Sequence, residues 1–378
     1  MTNSTSHPGG GTPNMTLVGP TTLSNGSTSR PDFGDYDCQS SAPILLALVG
    51  GYSAVGLVGL LGNLCLIGVI RRQKETQNVT NLLIGNLAAS DMLVCVICIP
   101  FTMVYTLMDH WLFGEAMCKV TSFVQCLSVS VSSFSLVLIA VERYQLIVNP
   151  RGWKPNVTHA HWSIVGIWLG SAVLSLPYLV FYHLSDEPFR NISQGFYRDK
   201  YACMDGWPSE RGRLGFNTCL LLVQYVAPLC FILVCYGRVL ACLRRRGGRG
   251  ERQRENEARA SETKRINTLL VSIVAAFAAC WLPLNVFNLL FDWHHETLLS
   301  CHHNLLFTLC HMVAMVSTCV NPVFYGFLNR NFQKDLQGVM RLCGFCSSQE
   351  VYNNVGMSAM QTDISKGSFR LNNSASAC

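Results

Sequence analysis

The sequence predicts an all-α membrane protein, a bundle of seven transmembrane helices followed by a short amphipathic eighth helix. Three observations lead there. Apolar residues make up 49% of the 378-residue chain and charged residues only 13%; soluble chains carry about a quarter charged residues. Mean hydropathy is +0.28. The charges are also gathered into short stretches, and seven gaps between them approach or exceed the roughly 20 apolar residues needed to cross ~30 Å of hydrocarbon. Finally, with the N-terminus outside, 21 of the 28 Lys and Arg residues fall on the inner side, as the positive-inside rule requires.

The elements follow in order. Residues 1–41 are a Gly/Ser/Thr/Pro-rich tail, too polar to bury a core, with no basic segment leading into an apolar one and hence no expected signal peptide. The tail holds glycosylation sequons at Asn3, Asn14 and Asn25, and Asn191 supplies a fourth in the second outer loop. Asn78, Asn156 and Asn372 match the same short pattern on the inner side, so only position separates signal from chance. The spans lie at about 42–70, 80–106, 116–147, 161–182, 214–240, 264–291 and 303–328. Six contain a proline (Pro43, Pro100, Pro177, Pro228, Pro283, Pro322), which a packed membrane bundle absorbs better than a water-soluble helix does. Residues 42–328 thus form the bundle, and 329–378 the amphipathic helix and inner tail.

Charge divides sharply between the faces. The outer side holds 12 acids and seven bases, the inner side nine acids and 21 bases, and Asp91 stands alone at membrane depth. An unpaired carboxylate there costs several kcal/mol, so Asp91 is expected to face the bundle interior. Asn63, Ser132 and Asn321 fall at similar depths on other helices. Asp91, Ser132 and Asn321 are therefore the expected holders of a sodium ion, or a hydrated polar knot that fixes helix register.

Most of the 18 cysteines lie inside apolar spans, where a thiol acts as a small hydrophobe. Cys118 and Cys203 both face the oxidising side and are expected to form a disulfide that ties the second outer loop to the third helix. Cys38 and Cys301 are the other outward pair, open to joining the tail to the third outer loop. Cys343 and Cys346, beyond the last helix, are palmitoylation candidates.

Helix by helix, the chain resembles the rhodopsin-like G-protein-coupled receptors. The resemblance is carried by Asn63, NLAASD ending at Asp91, Glu142-Arg143-Tyr144, Trp168, Pro228 with Tyr236, Cys280-Trp281-Leu282-Pro283, and Asn321-Pro322-Val323-Phe324-Tyr325. Within that class it resembles the neuropeptide Y/peptide YY/pancreatic polypeptide receptors, in their type 1/type 4 branch, over about residues 38–371. The runs RRQKETQNVTNLLIGNLAASD, YQLIVNPRGWKP, SETKRIN, FDWHHE, CHHNLLF, STCVNPVFYGFLNRNFQKDLQ and TDISKGSFRL carry that likeness. Loop and tail runs are the more specific, because spanning a bilayer does not demand them.

The resemblance implies a ligand: a peptide ending in an amidated Arg-Tyr. Asp292 matches the family's arginine-binding acid, with Asp109 and Glu296 as rim charges. Gln125, Gln224, Asn288 and His311 match the polar pocket positions, and Tyr105 and Phe291 the aromatic walls. It implies an activation switch through Arg143, Tyr236, Phe277, Trp281, Pro283, Asn321 and Tyr325. The implied partners are an inhibitory-type heterotrimeric G protein that lowers cyclic AMP, and arrestin after phosphorylation at Ser347, Ser348, Ser358, Thr362, Ser365 or Ser368. The basic third inner loop, RRRGGRGERQR, reads also as a solvated loop drawn to anionic membrane lipid. No nucleic acid is among the expected partners, and no cofactor beyond the sodium ion.

Two positions depart from the family pattern. Ser133 stands where close relatives carry a bulky aliphatic residue, and Thr263 where many members place an acid that holds the helix-three arginine. Rival classes lack their signatures. Amine receptors place a carboxylate where this chain has Gln125, and opsins place a lysine in helix seven, where 303–328 has none. Neither the inverted repeats of a transporter nor the nucleophile–base pair or metal cluster of an enzyme is legible, although His302 and His303 do sit beside Cys301. The expected setting is the plasma membrane, crossed many times, with the N-terminus extracellular.

Overall fold

The computed structural model describes residues 42–72, 78–108, 110–186, 200–247, 254–293, 303–328 and 333. All belong to the second of two units, Gln39–Cys378. Among them, seven helices are long and apolar enough to cross a membrane, and the chain is a multi-pass membrane protein. They are α1 (Ala42–Arg72), α2 (Val79–Met108), α3 (Gly114–Ile147), α4 (Val157–Phe181), α5 (Glu210 to Gly247), α6 (Arg254–Trp293) and α7 (His303–Met315 and Ser317–Leu328). A two-stranded antiparallel hairpin, β1 (Tyr182–Ser185) and β2 (Ala202–Asp205), follows α4, with Leu184 opposite Cys203.

The helices partition by what they bury. α3 is the central one: Ser128, Ser130, Ser132, Ser133 and Ser135 are all buried along it. α4 buries only Ala160, Ser171 and Ser175 and turns Trp162, Leu169, Val173 and Val180 outward. In lipid the hydrophobic effect does not drive helices together, so small residues that allow close backbone approach make the contact surface. Trp168 is the polar exception: its Nε1 donates to Asn86 Oδ1 at 2.8 Å, and Asn86 Nδ2 donates to Ser135 Oγ at 2.8 Å, which ties α4, α2 and α3 together.

Six spans run past their expected ends, by up to ten residues at the start of α6. Hydropathy marks only the part in hydrocarbon, whereas caps set where the backbone starts to coil. Asn78 caps α2 by accepting from the Asn81 backbone N–H at 2.8 Å, and Asn156 caps α4 by accepting from that of His159 at 2.8 Å. Ser209 caps α5 through the Gly212 N–H at 3.0 Å. The two inner sequon asparagines in the described residues are thus helix caps, each satisfying an otherwise orphaned donor.

Proline shapes the interiors. α2 and α5 each contain a π-turn, Val94–Cys98 and Leu222–Val226, and each is followed two residues later by a proline, Pro100 and Pro228. A proline leaves the carbonyl four residues back without its helical donor. For Pro228 that carbonyl belongs to Gln224, and the Ser133 hydroxyl of α3 donates to it at 2.6 Å. For Pro322 it belongs to Thr318, and Asn63 Nδ2 of α1 donates to it at 2.8 Å. Both bends are completed by a donor from a neighbouring helix, as a bilayer without water demands.

Cys118 and Cys203 form the expected disulfide, which fastens β2 to the start of α3. Gly114, at φ +73°, opens α3 after a tight turn, and Trp111 Nε1 donates to its carbonyl at 2.8 Å. A residue with a Cβ adopts that backbone only at a cost. The Trp111 N–H also bonds the Tyr201 carbonyl at 2.7 Å, so the turn and the segment before β2 are joined twice over.

Candidate functional site

A cavity of about 490 Å³ opens between α2, α3, α5, α6 and α7 beneath the hairpin. All seven side chains expected to meet a ligand line it: Tyr105, Gln125, Gln224, Asn288, Phe291, Asp292 and His311. Sites of this volume accept a substantial part of a ligand, with apolar walls and few polar groups.

The polar groups converge in a definite order. His311 Nε2 lies 3.2 Å from Gln125 Oε1, and His311 Nδ1 lies 3.0 Å from the Tyr52 hydroxyl. Gln125 Oε1 can only accept, so His311 carries its proton on Nε2, and the one Tyr52 O–H is shared between His311 Nδ1 and the Thr308 carbonyl, 3.1 Å away. With its oxygen occupied by His311, Gln125 is left with its N–H groups to offer. Gln224 is engaged the other way: its Nε2 reaches Ser130 Oγ at 2.6 Å and Cys126 Sγ at 3.1 Å, which leaves its oxygen for a ligand. The π-turn carrying Gln224 sets that aim, in keeping with the placement of such turns at functional sites.

The aromatic wall continues from this network. Phe291 stacks on Phe287 at 6.3 Å between centroids, Phe287 meets Phe307 at 5.7 Å, and Phe307 meets His311 at 5.9 Å. Tyr105 meets Trp111 edge-on at 5.8 Å on the opposite side.

Asp292 is not an open carboxylate. Arg213 Nη1 of α5 lies 3.0 Å from its Oδ1, and Asn217 Nδ2 donates to its Oδ2 at 3.0 Å. Arg213 and Asn217 line the same cavity, as does Asp205 of β2. Sequence reasoning passed over these residues and Tyr52. A single tyrosine in an apolar span and a basic residue at a helix start carry no periodic signal. Asp109 and Glu296 lie outside the described residues, as do Cys38, Cys301, Cys343, Cys346, the sequons at Asn3, Asn14, Asn25 and Asn191, and all but Gln333 of residues 329–378.

Deeper in the bundle, Asn321 Nδ2 donates to Asp91 Oδ2 at 2.7 Å. Asp91, Ser132 and Asn321 line one small cavity of about 20 Å³, closed by apolar side chains that include Leu136 and Phe277. That is room for about one water-sized occupant, and its oxygen lining suits a hard cation. Asn63 stands apart from it, with its amide given to the Gly59 and Thr318 carbonyls. Among the described residues no group of three His, Cys, Asp or Glu side chains forms a metal site.

At the inner end, Arg143 donates to Thr80 and lies 3.5 Å from Glu142, and the buried Glu142 accepts from Thr80. The Thr263 carbonyl receives Asn267 Nδ2 at 2.9 Å. Phe277 lies 6.2 Å from Trp281, centroid to centroid, and Trp281 also lines the large cavity. Tyr236 and Tyr325 are buried in the same core cluster as Phe277 and Trp281, and neither lines the ligand cavity. Pro283 stands inside α6, two residues beyond Trp281.

A seven-helix membrane bundle thus carries a disulfide-tied hairpin beside a deep polar cavity, with a Glu-Arg pair at the other end. The pattern of the family described as 7 transmembrane receptor (rhodopsin family) matches residues 62–325. Among curated proteins, the neuropeptide Y receptor type 6 of Oryctolagus cuniculus is 56% identical over 348 residues, covering 91% of this chain and 94% of that one. The type 1 receptor of Xenopus laevis is 53% identical over 334 residues (88% and 91%), and the type 4-2 receptor of Homo sapiens 49% over 336 residues (88% and 89%). The chain belongs to the neuropeptide Y receptor family of rhodopsin-like receptors.

Proposed function

We propose that this receptor sits in the plasma membrane with its N-terminus outside and binds C-terminally amidated peptides of the neuropeptide Y, peptide YY and pancreatic polypeptide group. The observation that carries the reading is the pairing at the base of the large cavity. Gln125 offers N–H donors and Gln224 offers an acceptor oxygen. A primary amide both accepts and donates, and so satisfies both. A terminal carboxylate only accepts, and it would leave Gln224 facing a second acceptor. A site built around such groups rejects the analogue that leaves them unpaired. Asp292 then receives the arginine before the terminal tyrosine, and Tyr105, Phe291 and Asn288 flank that tyrosine.

Transduction runs through Trp281, which lines the cavity and packs near Phe277. Agonist contacts favour a state in which α6, bent at Pro283, swings outward at its inner end and releases Arg143 toward an inhibitory-type G protein, lowering cyclic AMP. Tyr236, Asn321 and Tyr325 re-pair in that state. Phosphorylated serines and threonines of the tail then recruit arrestin. A sodium ion held by Asp91, Ser132 and Asn321 stabilises the resting state. The basic third inner loop and palmitoylated Cys343 and Cys346 hold the inner face to lipid, glycans stand at Asn3, Asn14, Asn25 and Asn191, and a Cys38–Cys301 bridge closes the outer rim.

The test is displacement of labelled peptide YY from cells expressing the chain, beside Asp292→Ala. The expected outcome is tight binding to the parent and at least a tenfold loss, about 1.4 kcal/mol, in the variant. No binding by a parent present at the surface removes the ligand assignment. An agonist-driven rise in cyclic AMP, or no change in it, removes the inhibitory coupling.

A further inference from the structure

The carboxylate read above as the ligand's cation seat already holds a cation. Arg213 and Asn217 stand four residues apart, on one face of α5, and between them they reach both oxygens of Asp292 across the gap to α6. The pair is sheltered: the Arg213 side chain is 18% exposed and that of Asp292 9%. Among the described residues, the formally charged side chains lining the cavity are Arg213, Asp205 and Asp292. These three carry one negative charge more than positive, enough to draw a cationic ligand, but the Asp292 carboxylate is in use.

We propose that Arg213 is an internal occupant of this seat, and that a guanidinium-bearing ligand binds by exchanging with it. The proposal rests on the reading of Asp292 as the ligand's anchor. A guanidinium pairs most strongly with a carboxylate when two parallel N–H groups meet both oxygens. Arg213 holds one oxygen and Asn217 the other, so an incoming fork must displace Arg213 and loosen Asn217. Asp205 gives the displaced Arg213 a carboxylate within the same cavity. The exchange has two consequences. Arg213 lowers the affinity of every ligand that uses Asp292, because part of the new pairing replaces an old one. It also sets the choice of cation: a ligand lysine offers a point charge in place of a fork, and displaces a guanidinium less well than an arginine does. Arg213 is in this sense a specificity-determining residue that selects its own chemical likeness.

The experiment uses the full chain in membranes and two probes, a C-terminally amidated peptide ending in Arg-Tyr-amide and its Lys-Tyr-amide analogue. Both are measured on the parent, Arg213→Gln, Asp292→Asn and the double variant. Dissociation constants are compared, so a fall in the number of folded receptors does not distort the result. Arg213→Gln is expected to bind the arginine peptide at least about twofold more tightly, the lower end of coupling between contacting residues. It is also expected to narrow the preference for arginine over lysine. In the Asp292→Asn background the same substitution is expected to change neither quantity, because no carboxylate remains to free. Weaker or unchanged binding in Arg213→Gln, with Asp292→Asn still weakened, overturns the exchange and leaves the anchor standing. Unchanged binding in Asp292→Asn removes the anchor, and the exchange with it.

Discussion

The two cavities on the bundle axis are built from the same residue types to opposite ends. The outer one, about 490 Å³, has two polar side chains that keep something in reserve: Gln125 its N–H groups, Gln224 its oxygen. The inner one, about 20 Å³, is pressed between Leu136 and Phe277, and its amide, Asn321, is already given to Asp91. Polarity alone therefore does not mark a ligand site. The outer groups are half-satisfied by their own helices and aimed at a shared space, whereas the inner ones mainly satisfy each other. A ligand meets open groups at the base of the first region and exchanges only with the Arg213–Asp292 pair, but reaches the second only by moving a helix.

This contrast can be broken at several points. The largest effect is expected from Cys203→Ser, which frees the hairpin over the outer cavity. By loop entropy a bridge across 85 residues is worth about 4.5 kcal/mol. Surface expression and peptide binding should both collapse. Binding retained within threefold would mean that the hairpin holds its place without the bridge. Ser133→Ala comes next, because it strips the donor from the Gln224 carbonyl and leaves a buried acceptor unsatisfied, at about 1–3 kcal/mol. Thermal unfolding in detergent should report a loss of that order, and an unchanged midpoint would show the carbonyl served by another group.

Tyr52→Phe should cost about 1 kcal/mol, but its more telling readout is selectivity. Once Tyr52 no longer holds His311 through Nδ1, His311 holds Gln125 less firmly, and the preference for an amidated over a free-acid peptide should shrink. An equal loss for both peptides would reduce Tyr52 to packing. The smallest effect is expected from Asn156→Ala, about 1 kcal/mol or less of stability at the α4 cap with peptide affinity untouched. A change in affinity there would mean that the two ends of the bundle are coupled through α4.

Much of this architecture was legible in the sequence, and the illegible part has a common cause. Apolar run length reports how a segment is solvated by lipid, and it located all seven helices. It is silent about caps, so α4 begins at Val157, four residues before the expected start, because Asn156 captures a backbone donor. The lining of the outer cavity was legible through likeness at Gln125, Gln224, Asn288 and Asp292. Which partners those side chains already have was not, because helix rotation and tilt decide it. Arg213 meets Asp292 across 79 positions of sequence, and Tyr52 meets His311 across 259. Separations of that size leave no trace in local pattern.

The carbonyls freed by Pro228 and Pro322 are served by Ser133 and Asn63 from other helices. For anyone recombining receptors of this kind, α5 is then not a separable part. A chimera that imports a proline-bent α5 above an α3 bearing an aliphatic residue at position 133 brings in a bend without its donor. The graft must repack the joint, and the natural units of exchange are pairs, α3 with α5 and α1 with α7.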